Sequence, residues 1–198
     1  MPVGFKLDEI EFTPDALLQH PKYAALLGEV VTSFSLLEGT VGGIYGLLLH
    51  QDIETAIESL KALSTNSKRV EAVRKEMAKN AELCGDPKND ELMKSILQFA
   101  VKRNKIAHGV WGSHPNTVNI IYRLPVKKWI NFIASLVAHG TEGNAIEQID
   151  ELKTHIEEYD LSALQDLKSE GSALLEAAML LFNQLAINAA KSDGWTEQ

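Results

Sequence analysis

The chain has a single cysteine, Cys84, among its 198 residues. A lone thiol excludes an internal disulfide and a cysteine-built zinc site, and it suits a reducing compartment. Cys84 stands in Leu83-Cys84-Gly85-Asp86-Pro87, a loop by composition, with no neighbouring base to activate it. Long hydrophobic runs are also missing. The longest uncharged apolar stretch, Gly39 to Leu49, is 11 residues, whereas a bilayer-spanning helix needs about 20. The segment from Met1 to Ile10 is charged early and lacks the apolar core of a secretory signal. Together these absences predict a cytoplasmic protein without a membrane segment. Glycine and proline are not enriched, and no repeat of solenoid period occurs. There is no phosphate-binding glycine loop, no G-x-S-x-G and no dinucleotide fingerprint, so no cofactor is expected.

What remains is an ordinary globular composition, 45% hydrophobic and 23% charged, of a length that suits one domain over residues 1–198. The net charge of −8 argues against nucleic-acid binding over the whole surface. Acid is unevenly spread, however. From Leu92 to Thr141 there is no Asp or Glu, while Lys94, Lys102, Arg103, Lys105, Arg123, Lys127 and Lys128 all fall there. An acidic protein with one basic third is compatible with a local anion site.

The hydrophobic pattern predicts mainly helix. Thr13 caps a short helix with Pro14 at its first position. A long helix follows over Lys22 to His50, with Tyr23, Leu27, Val30, Phe34, Leu37, Val41, Ile44 and Leu48 on one buried stripe. Four glycines in its second half, Gly39, Gly42, Gly43 and Gly46, each weaken the helix, so another backbone is expected to pass close by. Further helices are predicted over Ile53 to Leu63 and from Asn66 or Ser67, the latter with Val70, Val73, Met77 and Ala81 inward. The next begins at Asn89 or Asp90 and ends at His108, with Gly109 in a left-handed terminating position. A β-hairpin is predicted over about 109–124, turning at Ser113 to Asn116. Lys127 to Val137 reads as a strand or short helix, Gly140 to Asn144 as a loop, and Ala145 to Glu158 as helix. The last long helix starts near Asp160 or Ser162, and the tail 192–198 is expected to fray. The sum is a mainly α helical bundle with a small β-hairpin inserted after the fourth or fifth helix.

One segment concentrates the chemistry. In the helix ending at His108, two adjacent apolar rows, Leu92-Ile96-Phe99-Ile106 and Met93-Leu97-Ala100-Ala107, are broken at the same level by Arg103 and Asn104. Burying a guanidinium and an amide there is unfavourable unless both are partnered. Either acidic groups face them, Glu38 being the candidate, or the level opens onto an anion site. His108 lies four residues after Asn104 on the same face. Arg103 and His108 are separated by about 140° on an ideal helix. Their convergence would need local unwinding near Gly109 or a second copy of the chain.

Arg103-Asn104-Lys105-Ile106-Ala107-His108 resembles the R-x4-6-H signature of HEPN domains, helical modules of prokaryotic toxins and RNA-processing systems, in which Asn commonly follows the Arg. The string from Arg103 to Trp111 is similar to a group of bacterial HEPN-like proteins. The resemblance implies a metal-independent endoribonuclease whose site lies at a homodimer interface. Arg103 would stabilise phosphate charge, Asn104 would orient the phosphate and His108 would exchange protons with the ribose 2′-hydroxyl and the leaving oxygen. Lys102, Lys105, Arg123, Lys127 and Lys128 would contact RNA. An antitoxin protein is a further partner that the family implies. Many HEPN domains are non-catalytic dimerisation or interaction modules. The residues leave that alternative open, with Arg103, Asn104 and His108 in a structural polar network with Glu38.

Two other groupings carry less. Glu147, Glu151 and His155 share one helix face, but no second ligand helix is evident and a solvated acidic face is expected instead of a metal site. Trp111, Tyr122 and Trp129 could stack bases beside Arg123 and Lys127, but packing of the hairpin onto the helices is the expected role.

Overall fold

The computed structural model describes residues 5–13, 15–80, 83, 86–139 and 145–192. Pro14, Ala81, Cys84, the loop at 140–144 and the tail at 193–198, on which the sequence carries expectations, lie outside the described residues. Among these residues the chain is mainly helical, with seven helices and one five-stranded antiparallel sheet. The chain divides into two compact units. The first holds Met1–Glu29 and Asn104–Lys168, the second Val30–Arg103 and Ser169–Gln198.

The first unit is organised by the sheet. Its strands, β1 (Phe5–Leu7), β2 (Ile10–Phe12), β3 (Gly109–Ser113), β4 (Ile121–Pro125) and β5 (Glu157–Tyr159), lie in that order, each antiparallel to the next. The predicted hairpin is therefore the pair β3–β4 at the centre of a larger sheet, and its connection is longer than predicted, spanning 114–120. β1 and β2 meet through Asp8 and Glu9, whose φ angles of 51° and 60° make a tight turn of the hairpin type. Leu7, Phe12, Tyr122, Leu124 and Leu152 form the core, with Phe5 stacked on Trp129 at 3.8 Å. Residues 126–139 are helical, where the sequence left strand and helix open. The predicted helix over 145–158 stops at Lys153, and Glu157–Tyr159 pairs with β4. The expected short helix after Thr13 is only a run of turns over 15–18.

The second unit is helical. It contains the greater part of α1 (Pro21–Leu49), all of α2 (Ile53–Lys61) and α3 (Asn66–Met77), most of α4 (Pro87–Ala107) and the later turns of α7 (Leu161–Ser192); α5 (Val126–His139) and α6 (Ala145–Lys153) belong to the first unit. Asp52 caps α2 by accepting the Thr55 N–H at 2.9 Å, and Thr65 caps α3. Val30, Phe34, Leu37, Val41 and Ile44 are buried along α1, as their spacing predicts, and so are Val70, Val73 and Met77 along α3. The α1 glycines divide. Gly42, Gly43 and Gly46 lie against the side chains of Ile57, Phe182 and Ala56, whereas a Cβ at Gly39 would meet nothing within 4 Å. Side chains crowd Gly42 and Gly43, and the expected close backbone is met at Gly46, 3.4 Å from the Gln51 carbonyl oxygen and 3.5 Å from the Ile53 Cα. α1 ends at His50, whose φ of 52° is left-handed, with the Gln51 N–H donating to the Gly46 carbonyl.

Counting uninterrupted runs misses one property of α1 and α7. By length and mean hydropathy, 1.3 and 1.4 over their most apolar windows, both are long and apolar enough to cross a membrane. Length and composition do not distinguish such a span from a core helix, and each of these helices carries a buried stripe.

Candidate functional site

The signature segment occupies the last turn of α4 and the residue beyond it. Arg103 is half-buried and its guanidinium carbon lies 5.1 Å from the centre of the Phe34 ring, a cation–π arrangement. Phe99, one turn earlier, is fully buried. Asn104 is half-buried, and its carbonyl accepts the backbone N–H of His108 at 3.0 Å. This bond extends the helical pattern one residue past Ala107 and stacks His108 one turn beyond Asn104. His108 is exposed. The expected acidic partner behaves differently. Glu38 is engaged by Arg69 of α3, with Nη1 3.2 Å from Oε1, so the cation on Glu38 comes from α3 and is not Arg103 of α4.

Gly109 does not adopt the left-handed ending predicted for it. It opens β3, opposite Pro125. A Cβ there would stand 2.7 Å from Cγ, 2.8 Å from Nε and 3.0 Å from Cδ of Arg123. Glycine is needed at 109 because the Arg123 side chain runs directly over it.

Arg123 is only 4% exposed. Its Nε donates to the carbonyl of Lys105, one of the α4 carbonyls left without a helical partner at the helix end. Its Nη1 pairs with Glu157 Oε2 at 3.1 Å. The Tyr159 hydroxyl donates to the same oxygen at 2.9 Å, and Lys105 Nζ lies 3.6 Å from Oε1. The Val126 N–H donates to the His108 carbonyl at 3.2 Å. Thus β4 and β5 cap the end of α4 on which Asn104 and His108 stand. This corrects the assignment of Arg123 to RNA contact, because a guanidinium sealed beneath β3 cannot reach a phosphate from solvent. Arg123 is a positioning residue. Glu157 and Tyr159 were missed in sequence, since Glu-Glu-Tyr looks like a solvated end of helix; the only hint was a buried-type strand, Ile121 to Leu124, with an arginine inside it.

The network shifts its own titrations. Burial pushes the Glu157 carboxyl upward, but the Tyr159 hydroxyl and the Arg123 and Lys105 cations outweigh burial and hold it below its ordinary value. For Tyr159, burial and then the Glu157 carboxylate push the phenol up to about 12. A folded phenol that resists ionisation contributes stability that is complete below the unfolded value of about 10 and is lost as pH rises through the folded one. The melting temperature of the protein is therefore expected to fall between pH 10 and about 12, and more steeply than that of Tyr159→Phe. Equal alkaline slopes would show that this phenol does not govern the loss. Glu157 has the opposite sense: its contribution is present above the ordinary carboxylate value and disappears as pH falls through the lowered one.

The remaining basic residues are largely compensated. Lys102 pairs with Glu170 at 2.7 Å, Lys94 with Asp90 at 2.7 Å and Lys128 with Glu151 at 3.4 Å, all in exposed or half-exposed positions. Lys127 is exposed at the start of α5. Trp111 and Tyr122 are buried, and Trp129 stacks on Phe5, so the aromatic residues pack the first unit and do not form a base-stacking face. His155 lies 3.9 Å from Glu151, but among the described residues no group of three His, Cys, Asp or Glu is placed to hold a metal ion.

No family model, curated protein or solved structure matches the chain.

Proposed function

We propose that the chain is a HEPN-like, metal-independent endoribonuclease that works as a cytoplasmic homodimer, with Arg103, Asn104 and His108 as its site. The observation that supports this reading best is exposure. Arg103 and Asn104 break the apolar face of α4 yet stay half-exposed, and His108, just past the helix end, is exposed. A polar level kept only for structure would be sealed from solvent.

The chemistry follows from the residue types. Neutral His108 removes the proton from a ribose 2′-hydroxyl, whose oxygen attacks the adjacent phosphorus. The P–O5′ bond breaks, the 5′-oxygen takes a proton from an imidazolium, and a 2′,3′-cyclic phosphate remains. Arg103 offers paired N–H donors to the charge that builds on the phosphate oxygens. Asn104 orients the phosphate. Because Arg103 and His108 project from different sides of one helix, the reading requires the second copy.

The test is cleavage of a mixed RNA pool in EDTA. Wild type is expected to leave cyclic phosphate ends, and His108→Ala to lose about 10²-fold or more of the rate. If neither protein cuts while both are folded, the reading fails. The second reading, a non-catalytic interaction module in which these residues form a polar network, then stands. Its supporting observation is the carboxylate compensation of Lys102, Lys105 and Lys128. It expects Arg103→Ala to lower stability without any RNA phenotype.

A further inference from the structure

The second unit contains a cavity of about 370 Å³ between α1, α2, α3 and α4. Its volume falls within the range of small-molecule sites, and a position between bundled helices is usual for them. The floor is apolar: Phe34, Leu60, Val70 and Ile96 are all buried. Glu38, Lys61, Asn66 and Arg69 supply polar groups to the lining.

Each charge among these four is already compensated within the protein. Arg69 Nη1 donates to Glu38 Oε1 at 3.2 Å, and Lys61 Nζ donates to Glu58 Oε1 at 2.9 Å. The rest of the Arg69 guanidinium is engaged by backbone, Nε with the Leu63 carbonyl at 3.2 Å and Nη2 with the Lys61 carbonyl at 3.5 Å. The positive end of α3 is capped, since Thr65 Oγ1 accepts the Lys68 N–H at 3.3 Å. A charged head group entering this cavity would lose water and meet no uncompensated counter-charge. The cavity therefore disfavours both signs.

Neutral hydrogen bonding remains open to a ligand. Arg69 Nη1 also donates to Asn66 Oδ1 at 3.4 Å, which turns the amide so that its Nδ2 donors are unengaged among the described residues. Glu38 is held through Oε1, so Oε2 keeps its capacity to accept. A donor and an acceptor among the lining residues suit a head group that both accepts and donates. A hydroxyl or a primary amide does so without carrying charge.

We propose that this cavity binds an uncharged aliphatic amphiphile, a chain ending in a hydroxyl or primary amide. The chain lies against Phe34, Leu60, Val70 and Ile96, and the head group meets Asn66 and Glu38. The site lies wholly within the second unit and does not depend on the ribonuclease reading. Gly39 provides the means to close it. It lines the cavity, and a Cβ there meets nothing within 4 Å, so a larger side chain enters open space.

The test is calorimetric titration of the full chain with octanol, octanoate, octyltrimethylammonium and heptyl methyl ether, the isomer of octanol that accepts but cannot donate. Octanol is expected to bind saturably, one per chain, and about tenfold more tightly than either ion. The ether should bind several-fold more weakly than octanol. Gly39→Phe, with a melting temperature close to wild type, is expected to weaken octanol by about tenfold. Removing one partner of the ion pair should change the selected sign: Glu38→Gln should raise octanoate toward octanol, and Arg69→Gln should raise octyltrimethylammonium instead. Absence of saturable octanol binding would overturn the proposal, as would an ion or the ether binding wild type as tightly as octanol. Unchanged octanol binding to Gly39→Phe, or the same order of probes in both charge variants, would overturn it too.

Discussion

Arg123→Ala is expected to destabilise the first unit by about 3 kcal/mol, measured as a loss in urea unfolding free energy at neutral pH. Three consequences add. The Glu157 carboxylate loses the cation at 3.1 Å. The Lys105 carbonyl, at the end of α4, loses its donor. A side chain that is 4% exposed leaves a cavity beneath β3. The figure is placed at the low end for a broken buried pair because Glu157 is 36% exposed and keeps Lys105 and Tyr159 nearby. A change below about 0.5 kcal/mol, the size of an ordinary surface substitution, would mean that Arg123 does not hold the end of α4. Glu157→Gln retains the shape and a neutral acceptor, so it should cost less than Arg123→Ala.

Gly109→Val is expected to cost a similar amount, about 3 kcal/mol, at the upper end of ordinary overpacking. The atoms that a Cβ would strike are Cγ, Nε and Cδ of Arg123, the middle of the side chain and not its free end. Arg123 can yield only by giving up Lys105 or Glu157. The two substitutions should therefore fail to add. In Gly109→Val/Arg123→Ala the valine enters space that the arginine has vacated, so the double variant should be more stable than the sum of the single losses by 1 kcal/mol or more, a coupling ordinary for contacting residues. Strict additivity would rule out the steric conflict. The pair also separates positioning from chemistry: neither residue touches RNA in the proposed reaction, so any loss of cleavage in these variants should follow their loss of structure around His108.

Much of the helical framework was legible because helix periodicity is a local property. The stripe from Tyr23 to Ile44 and the triplet Val70, Val73 and Met77 are buried where the spacing placed them. The sheet was legible only in part. The run Thr117 to Arg123, rich in β-branched residues, announced β4, although its first four residues lie in the connection before that strand. β1 and β2 are three residues each, and they are joined through Asp8 and Glu9, which carry neither the Asn nor the Gly that marks such a turn. β5, Glu157-Glu158-Tyr159, is too short and too polar to suggest a strand, and it is built by pairing with β4. Gly109 was read as a helix terminator, since glycine after a helix commonly serves that way; its actual constraint is the Arg123 side chain.

The sequence by itself determined the mainly helical class, the core stripes and the level at which Arg103 and Asn104 interrupt two apolar rows of one helix. Each depends on residues within a few turns of one another. Tertiary structure alone decided which charges remain available. Arg69 meets Glu38 31 positions away, Arg123 meets Glu157 at 34 and Lys102 meets Glu170 at 68. Coulomb attraction depends on separation in space and on burial, and neither can be read from positions so far apart along the chain. Thus seven cations on an acid-free stretch suggested an open anion surface, while folding placed distant carboxylates against four of them, Lys102, Lys105, Arg123 and Lys128.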